Sequence, residues 1–331
     1  MYVPSVVLIT GVLGFIGSHV CVNLVLKYPQ SFFIGIDKET YCSNSKNIDE
    51  IRHHPNFIYI KTDLTDQISV ESLFKEYSID TVLHFAAYSH VDLSFTNSIL
   101  FTENNILGTH ILIDVAYRHQ VKRFIHMSTD EVYGGKDDCM NEDCTLDPTN
   151  PYAASKAGAE QIVKSYYHSF KVPIIIIRSN NVYGPKQYPE KVIPKFCVRL
   201  MRGLPCILQG SGDQKRSFIY IDDFIRGFEL IWLSGIVGQT YNIGSNDEIA
   251  IYQLAVQIIQ LIHPSIVSPN EYLRFGDDRK FNDIRYNISN TKLSSLGWSP
   301  TIPFDQGLKK TVEWYMGNGG YWGEDELKNI L

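Results

Sequence analysis

Basic charge is in short supply. Thirty Lys and Arg stand against 36 Asp and Glu, a net charge of −6, which excludes a polyanion-binding surface spread over the whole molecule. A local basic pocket for one phosphorylated ligand remains allowed. Cysteine is sparse as well. Residues 21, 42, 139, 144, 197 and 206 include no CxxC pair and no metal-ligand spacing, so no metal is expected and scattered free thiols of a reducing compartment are the reading. The first 26 residues are apolar, but no basic segment precedes them, three glycines interrupt them and no small-residue cleavage site follows. No apolar run elsewhere approaches membrane-spanning length, and there is no internal repeat, low-complexity tract or long linker. The expectation is a cytoplasmic protein without membrane or nucleic-acid partners, whose 44% hydrophobic residues suffice for a sizeable core.

What is present is a rhythm of short apolar runs. Residues 6–10, 32–37, 57–60, 81–85, 124–128 and 173–178 read as buried strands. Amphipathic stretches at 17–26, 105–119 and 153–170 read as the helices between them. This alternation implies an α/β fold, a Rossmann-type doubly wound parallel sheet. After about residue 180 the pattern changes to loops rich in Gly, Pro and charge, with helices at 191–202, 222–233 and 251–262. The expected organisation is a dinucleotide-binding part over 1–180 that also carries the catalytic residues. Residues 181–331 form mainly a smaller substrate-binding lobe, with some chain returning to the sheet.

Gly11-Val12-Leu13-Gly14-Phe15-Ile16-Gly17 is a GxxGxxG turn between a strand and a helix. Glycine there lets the backbone approach a pyrophosphate, whose charge then sits at the helix N-terminus. Alone, such a turn is equally a tight βα connection. Asp37 supplies the context: it ends the second strand, 20 residues after Gly17, where a carboxylate bonds ribose hydroxyls and repels a 2′-phosphate. NAD is thereby favoured over NADP. Asp63-Leu64 follows the third strand, either to reach an adenine or with Asp63 capping a loop.

Tyr152 and Lys156 form a YxxxK pair whose spacing puts both side chains on one helix face. The expectation is that the ammonium lowers the phenol's pKa and makes it a base; taken alone, the pair is better read as a solvated helix face. Ser128-Thr129-Asp130-Glu131-Val132-Tyr133-Gly134 follows the fifth strand directly, where doubly wound sheets bind ligands. Adjacent carboxylates raise each other's pKa, a cost that a solvated loop with a capping acid would avoid.

Together with these segments, Phe85-Ala86-Ala87-Tyr88-Ser89-His90-Val91-Asp92, Tyr152-Ala153-Ala154-Ser155-Lys156, Arg178-Ser179-Asn180-Asn181-Val182-Tyr183-Gly184-Pro185, 188–195 and 278–283 resemble the dTDP-glucose 4,6-dehydratase family and its UDP-glucose counterparts. These belong to the extended branch of the short-chain dehydrogenases. The likeness runs from about residue 6 to Trp322.

The resemblance implies an enzyme that converts dTDP-glucose or UDP-glucose to its 4-keto-6-deoxy derivative and water, with tightly bound NAD recycled. It implies that Tyr152, paired with Lys156, takes the 4-hydroxyl proton while a hydride leaves C4 for NAD. Glu131 then abstracts the C5 hydrogen, Asp130, held protonated, gives its proton to the departing 6-hydroxyl, the hydride returns to C6 and C5 is reprotonated. Thr129 orients the 4-oxygen.

By position, NAD is implied at Gly11, Gly14, Phe15, Ile16, Gly17, Asp37, Lys38, Thr40, Asp63, Leu64, Phe85, Ala86, Ala87, Ser89, Asn104, Tyr152, Lys156 and Asn181. The nucleotide sugar is implied at Ser89, Thr129, Asn180, Lys191, Val192, Ile193, Pro194, Lys195, Phe196, Ile207, Gln209, Arg216, Asn242, Asp278, Arg279 and Asn282. Arg216 and Arg279 stand as pyrophosphate ligands, although either arginine taken alone is better read as a surface ion pair. A homodimer through 105–119 and 153–170 follows from the same resemblance.

Tyr88 departs from the Glu usual in bacterial members, and Lys280-Phe281-Asn282 from their Pro-Gly-His. Tyr41-Cys42-Ser43-Asn44 and Phe281-Asn282-Asp283 look more like plant rhamnose synthases and animal homologues, so UDP and thymidine diphosphate both stay open. The competitors are an NDP-sugar 4-epimerase or decarboxylase, which have no use for Asp130, and a non-catalytic NAD-binding regulator, which has no use for Thr129, Asp130, Glu131, Tyr152 and Lys156 together.

Overall fold

The computed structural model describes residues 4–135, 139–245, 247–278, 283 and 285–328. The six apolar runs form β1 (Val6–Thr10), β2 (Phe32–Asp37), β3 (Phe57–Lys61), β4 (Thr81–His84), β5 (Arg123–Met127) and β6 (Ile174–Ser179). Downstream follow β7 (Asn181–Tyr183), β8 (Cys206–Gln209), β9 (Lys215–Tyr220), β10 (Thr240–Ile243), β11 (Glu248–Ala250) and β12 (Leu273–Gly276). A seven-stranded sheet has the order β10-β6-β5-β4-β1-β2-β3, and its pairings are parallel. The chain leaves β1 toward β2 and β3, then crosses back to lay β4 on the other flank of β1. A crevice opens at such a reversal, outside the carboxyl ends of the strands.

Side chains alternate between two layers, as a buried strand requires. Val7 and Ile9 of β1 join a core shared with Leu24, Phe228, Leu254 and Leu308, whereas Leu8 joins Val70, Leu112 and Val163 on the opposite face. The covering helices are α1 (Phe15–Lys27), α2 (Gln67–Tyr77), α3 (Val91–Thr96), α4 (Ser98–Phe101), α5 (Gly108–Arg118) and α6 (Pro151–Phe170). The expected helix at 105–119 starts as a π-helical turn, Thr102–Leu107. There the Asn105 amide reaches the Tyr88 backbone (2.8 and 3.0 Å) and Ser155 Oγ (2.9 Å), contacts a regular winding would have to place elsewhere. At the start of α6, Pro151 is pre-set for the first turn and Asn150 Oδ1 accepts from Ala153 N at 2.8 Å.

The later chain adds α7 (Val192–Met201), α8 (Ile221–Ser234), α9 (Ile251–Ile262), α10 (Thr291–Ser294), α11 (Phe304–Gly317) and α12 (Glu324–Leu327). A three-stranded sheet, β11-β9-β7, and a parallel pair, β12-β8, accompany them. Residues 318–322 fold back onto the loop after β2. The Tyr321 hydroxyl donates to Asn47 Oδ1 (2.6 Å), its carbonyl accepts from Asn44 Nδ2 (3.3 Å) and Lys46 Nζ (3.2 Å), and Trp322 meets Tyr188 edge-on at 5.0 Å. That loop in turn holds the glycine turn, since Leu13 O accepts from Asn44 N and Asn47 Nδ2. All six cysteines carry free thiols. Among the described residues no helix is long and apolar enough to cross a membrane, and no grouping of His, Cys, Asp and Glu could hold a metal.

Candidate active site

Two adjoining cavities open at the carboxyl ends of the sheet. The first holds about 210 Å³ and is lined by Gly11, Gly14, Phe15, Ile16, Gly17, Phe85, Ala87 and Ser89 on one side and Thr129, Asp130, Glu131, Tyr152, Lys156, Asn180 and Asn181 on the other. Only hydrogen fits at two of its glycines. A Cβ on Gly11, whose φ is +73°, would lie 2.8 Å from Ala86 N, and one on Gly17 would lie 2.2 Å from the Gly11 carbonyl oxygen. α1 begins here with no side-chain cap and no acid in its first turn, so its leading amides are available to an anion.

A side chamber of about 80 Å³ continues past Asp37, Lys38, Thr40, Leu64, Ala86 and Asn104. Asp37 Oδ1 accepts from Glu39 N and Ser43 Oγ, but Oδ2 accepts a single bond, from Leu13 N at 3.1 Å, and so retains a lone pair for a ribose hydroxyl. Burial pushes this carboxyl up, against those bonds. Glycine turn, open helix end and Asp37 together fit a dinucleotide. Asp63 sits apart. Its Oδ1 accepts from Thr65 N and Thr65 Oγ1, both at 2.9 Å, so it caps the loop, and only its 3.6 Å pairing with Lys38 points toward the chamber.

Between the cavities lies the acid turn, a 3₁₀ segment Asp130–Tyr133 capped by Thr129, whose Oγ1 accepts from Glu131 N. Asp130 is 2% exposed. Burial first, then the neighbouring Glu131 charge, raise its carboxyl to about 7, although Asn180 Nδ2 (2.6 Å) and Thr129 bond to it. Glu131 borders both cavities, and its Oε2 accepts from Asn150 Nδ2 at 3.0 Å. One asparagine thus caps α6 with its oxygen and aims Glu131 with its amide.

Tyr152 and Lys156 share the inner face of α6, as their spacing requires. The expectation that lysine lowers the phenol is corrected. Burial and the Glu131 charge push Tyr152 up, against its hydrogen bond with Thr129. Lys156 Nζ donates to Met127 O at 2.6 Å, and burial lowers it to about 8. Behind it His84 is fixed in one tautomer. Thr10 Oγ1 accepts from Phe85 N and Ala86 N and so donates to Nδ1, while Nε2 donates to Thr109, which donates to Asn105 O. Burial holds this ring neutral, with a pKa of about 3.

The second cavity, about 300 Å³, is lined by Glu131, Asn150, Glu190, Lys191, Val192, Lys195, Phe196, Arg199, Ile207, Gln209, Arg216, Asp283 and Tyr286, among others. A family model described as GDP-mannose 4,6 dehydratase matches residues 8–311. Mouse dTDP-D-glucose 4,6-dehydratase is 46% identical over 97% of this chain and 91% of its own length.

The chain belongs to the dTDP-glucose 4,6-dehydratase family. A trifunctional Arabidopsis thaliana protein named for UDP-glucose 4,6-dehydratase activity is 45% identical over 98% of this chain and 49% of its own length. The dTDP-glucose 4,6-dehydratase DesIV of Streptomyces venezuelae, solved with NAD bound, superposes with a TM-score of 0.91 at 35% identity, over 96% of this chain and 99% of its own. The UDP-glucose 4-epimerase of Thermotoga maritima superposes at 0.86 with 26% identity, over 95% and 99%. The fold is shared between the dehydratase and the epimerase.

Several expected contacts of this dehydratase-family chain lie elsewhere. α7 turns Val192, Lys195, Phe196 and Arg199 to the cavity, the i, i+3, i+4, i+7 face, which sends Ile193 and Pro194 inward; Ile193 is 1% exposed. Asn242 is fully buried and lines neither cavity. Its side chain meets Tyr133, Met140 and Ser289. Asp278 packs beside Gly210, outside both linings. Ser89 borders the first cavity, with its carbonyl taken by Lys191 Nζ at 2.6 Å. Arg279 and Asn282 lie outside the described residues.

Sequence reasoning missed Glu190, which borders both cavities, and also His90, Asn150, Arg199 and Tyr286. The helical face would have revealed Arg199, and adjacency to Lys191 pointed at Glu190. Nothing local marks Tyr286.

Proposed function

We propose that this chain dehydrates a nucleoside-diphosphate glucose, UDP- or dTDP-linked, to the 4-keto-6-deoxy sugar. The observation that carries the reading is a buried, protonatable Asp130 lining the dinucleotide crevice, beside Glu131, which borders both that crevice and a second cavity bearing Lys195, Arg199 and Arg216. Bound NAD would supply a hydride acceptor that later returns the hydride, together with a positive ring charge favouring the Tyr152 phenolate.

Tyr152 takes the 4-hydroxyl proton, and Thr129, hydrogen-bonded to Tyr152, orients the 4-oxygen. The resulting ketone acidifies the C5 hydrogen, which Glu131, steadied by Asn150, removes; C5 is reprotonated once the hydride has returned to C6. Asp130, with a pKa near working pH, gives its proton to the departing 6-oxygen, the condition under which a general acid is most effective. Neither a 4-epimerase nor a decarboxylase has a use for that proton. In this reading residues 1–180 serve cofactor and chemistry, and 181–331 mainly the nucleotide sugar.

The deciding experiment incubates the protein with UDP-glucose and dTDP-glucose and looks by mass for a product lighter by one water. Formation of neither product rejects the reading, and their relative rates assign the base.

Exposed Leu107, Tyr117 and Phe170 along the π-turn, α5 and α6 support a second copy docking there in a cytoplasmic homodimer. Phe170→Asp should then yield monomer in sedimentation analysis.

A further inference from the structure

Behind the acid turn, outside both cavity linings, lies a buried ion pair. The Arg178 side chain is 1% exposed and that of Glu160 is fully buried. Arg178 Nε donates to Glu160 Oε2 at 3.1 Å and Nη2 to Oε1. Nη1 donates to the Tyr133 hydroxyl at 2.6 Å and to Glu142 O at 3.2 Å. The Tyr133 hydroxyl hands its own proton to Asn242 Oδ1 at 2.9 Å, and Asn242 Nδ2 is anchored on the carbonyls of Met140 and Ser289.

A buried ion pair is weak evidence for stability, because well-packed apolar side chains of similar volume often do as well. What this pair connects is more informative. Glu160 stands one helical turn beyond Lys156 and two beyond Tyr152, on the same face of α6. Tyr133 ends the 3₁₀ segment that carries Asp130 and Glu131. Arg178 precedes by two residues Asn180, whose amide holds Asp130. The planar guanidinium therefore touches the helix of the tyrosine–lysine pair and the turn of the two acids at fixed angles. A lysine ammonium cannot reproduce that fork. The Tyr133 hydroxyl, accepting from Arg178 and donating to Asn242, has no rotational freedom left.

We propose that Arg178, with Glu160 and Tyr133, positions Asp130 and Glu131 against Tyr152, and that Tyr133 is a positioning residue for water loss. None of the three lines either cavity. The proposal rests on the dehydratase reading above.

Tyr133→Phe tests it most gently, since the ring stays and only the hydroxyl goes; Arg178→Lys is the stronger perturbation. Each variant is compared with the native enzyme in rapid-mixing experiments with the preferred nucleotide glucose. The absorbance of reduced cofactor reports the Tyr152 step. Solvent deuterium at C5 and loss of water report the Glu131 and Asp130 steps. Melting temperature, KM and NAD content are read alongside.

The expected result for Tyr133→Phe is dehydration and C5 exchange slowed at least tenfold, reduced cofactor forming within threefold of the native rate, and KM and NAD content unchanged. Arg178→Lys should deepen the same imbalance. Equal slowing of all steps in proportion to lost melting temperature would make the network merely structural, and native dehydration in Tyr133→Phe would overturn the proposal outright. If the native protein itself dehydrates neither sugar, the functional reading fails first, and visibly so.

Discussion

Asp130→Asn separates chemistry from stability in one substitution. Its carboxyl sits near 7 instead of 3.8 because it is buried beside another acid. The folded protein therefore binds this proton more tightly than the unfolded chain does. The stability contributed by the group is fully present below the unfolded value, declines as pH climbs from 3.8, and is lost once pH passes about 7. At about 1.4 kcal/mol per tenfold change in proton affinity, that loss is worth roughly 4 kcal/mol above pH 7.

Asparagine has nearly the same shape and no charge, so the variant should be more stable than native at pH 8, by up to that amount, and the advantage should shrink toward pH 5. Kinetically the sign is opposite. About half of Asp130 carries its proton at pH 7, roughly a tenth at pH 8 and about a hundredth at pH 9, so native dehydration should fall across that range. The variant, having no proton to give, should dehydrate ~10²–10⁴-fold more slowly at neutral pH while Glu131 still exchanges the C5 hydrogen. Denaturant melts at the two pH values, and mass detection of water loss alongside C5 deuterium, supply the four numbers required. A variant less stable than native at pH 8, or one that dehydrates at the native rate, refutes the neutral-acid assignment.

Tyr152→Phe should abolish C5 exchange together with water loss, a pattern distinct from Asp130→Asn in the same deuterium assay. Gly17→Ala places a methyl 2.2 Å from the Gly11 carbonyl oxygen, and the purified protein should carry less than a tenth of the native NAD, assayed by release on denaturation. Asp37→Ala should narrow the preference for NAD over NADP at least tenfold in titrations of apoprotein, because the carboxylate that repels a 2′-phosphate is gone; an unchanged ratio places selectivity elsewhere.

Elements whose signal is local were legible before any coordinates. Buried parallel strands such as Val6–Thr10 and Phe32–Asp37 are continuous apolar runs, and the helix Ile251–Ile262 was read with its observed bounds. β10 was not legible as a strand. Its four residues, Thr-Tyr-Asn-Ile, are half polar, and they become a strand by pairing with β6 across more than sixty residues of chain. The π-turn was invisible for the same reason, since it accompanies the grip of Asn105 on Tyr88 and Ser155.

At the site, the glycine turn and the Thr129-Asp130-Glu131 turn announced themselves through types and spacing. The ionisation of Tyr152 did not, because burial and Glu131 act on it through space, and a spacing of four says nothing about either. Asn242 shows the reverse case. A polar residue at a matching position was read as a contact, and the fold spends it on Tyr133.

The contact of Tyr321 with the loop after β2 has a consequence for how the molecule is made. Its bonds to Asn44 and Asn47 join residues 277 and 274 apart in sequence. At synthesis rates of about 5–20 residues per second, roughly a quarter of a minute to a minute separates the emergence of the glycine turn from that of its clasp. Throughout that interval the loop beside the glycine turn lacks the bonds by which Tyr321 fastens it.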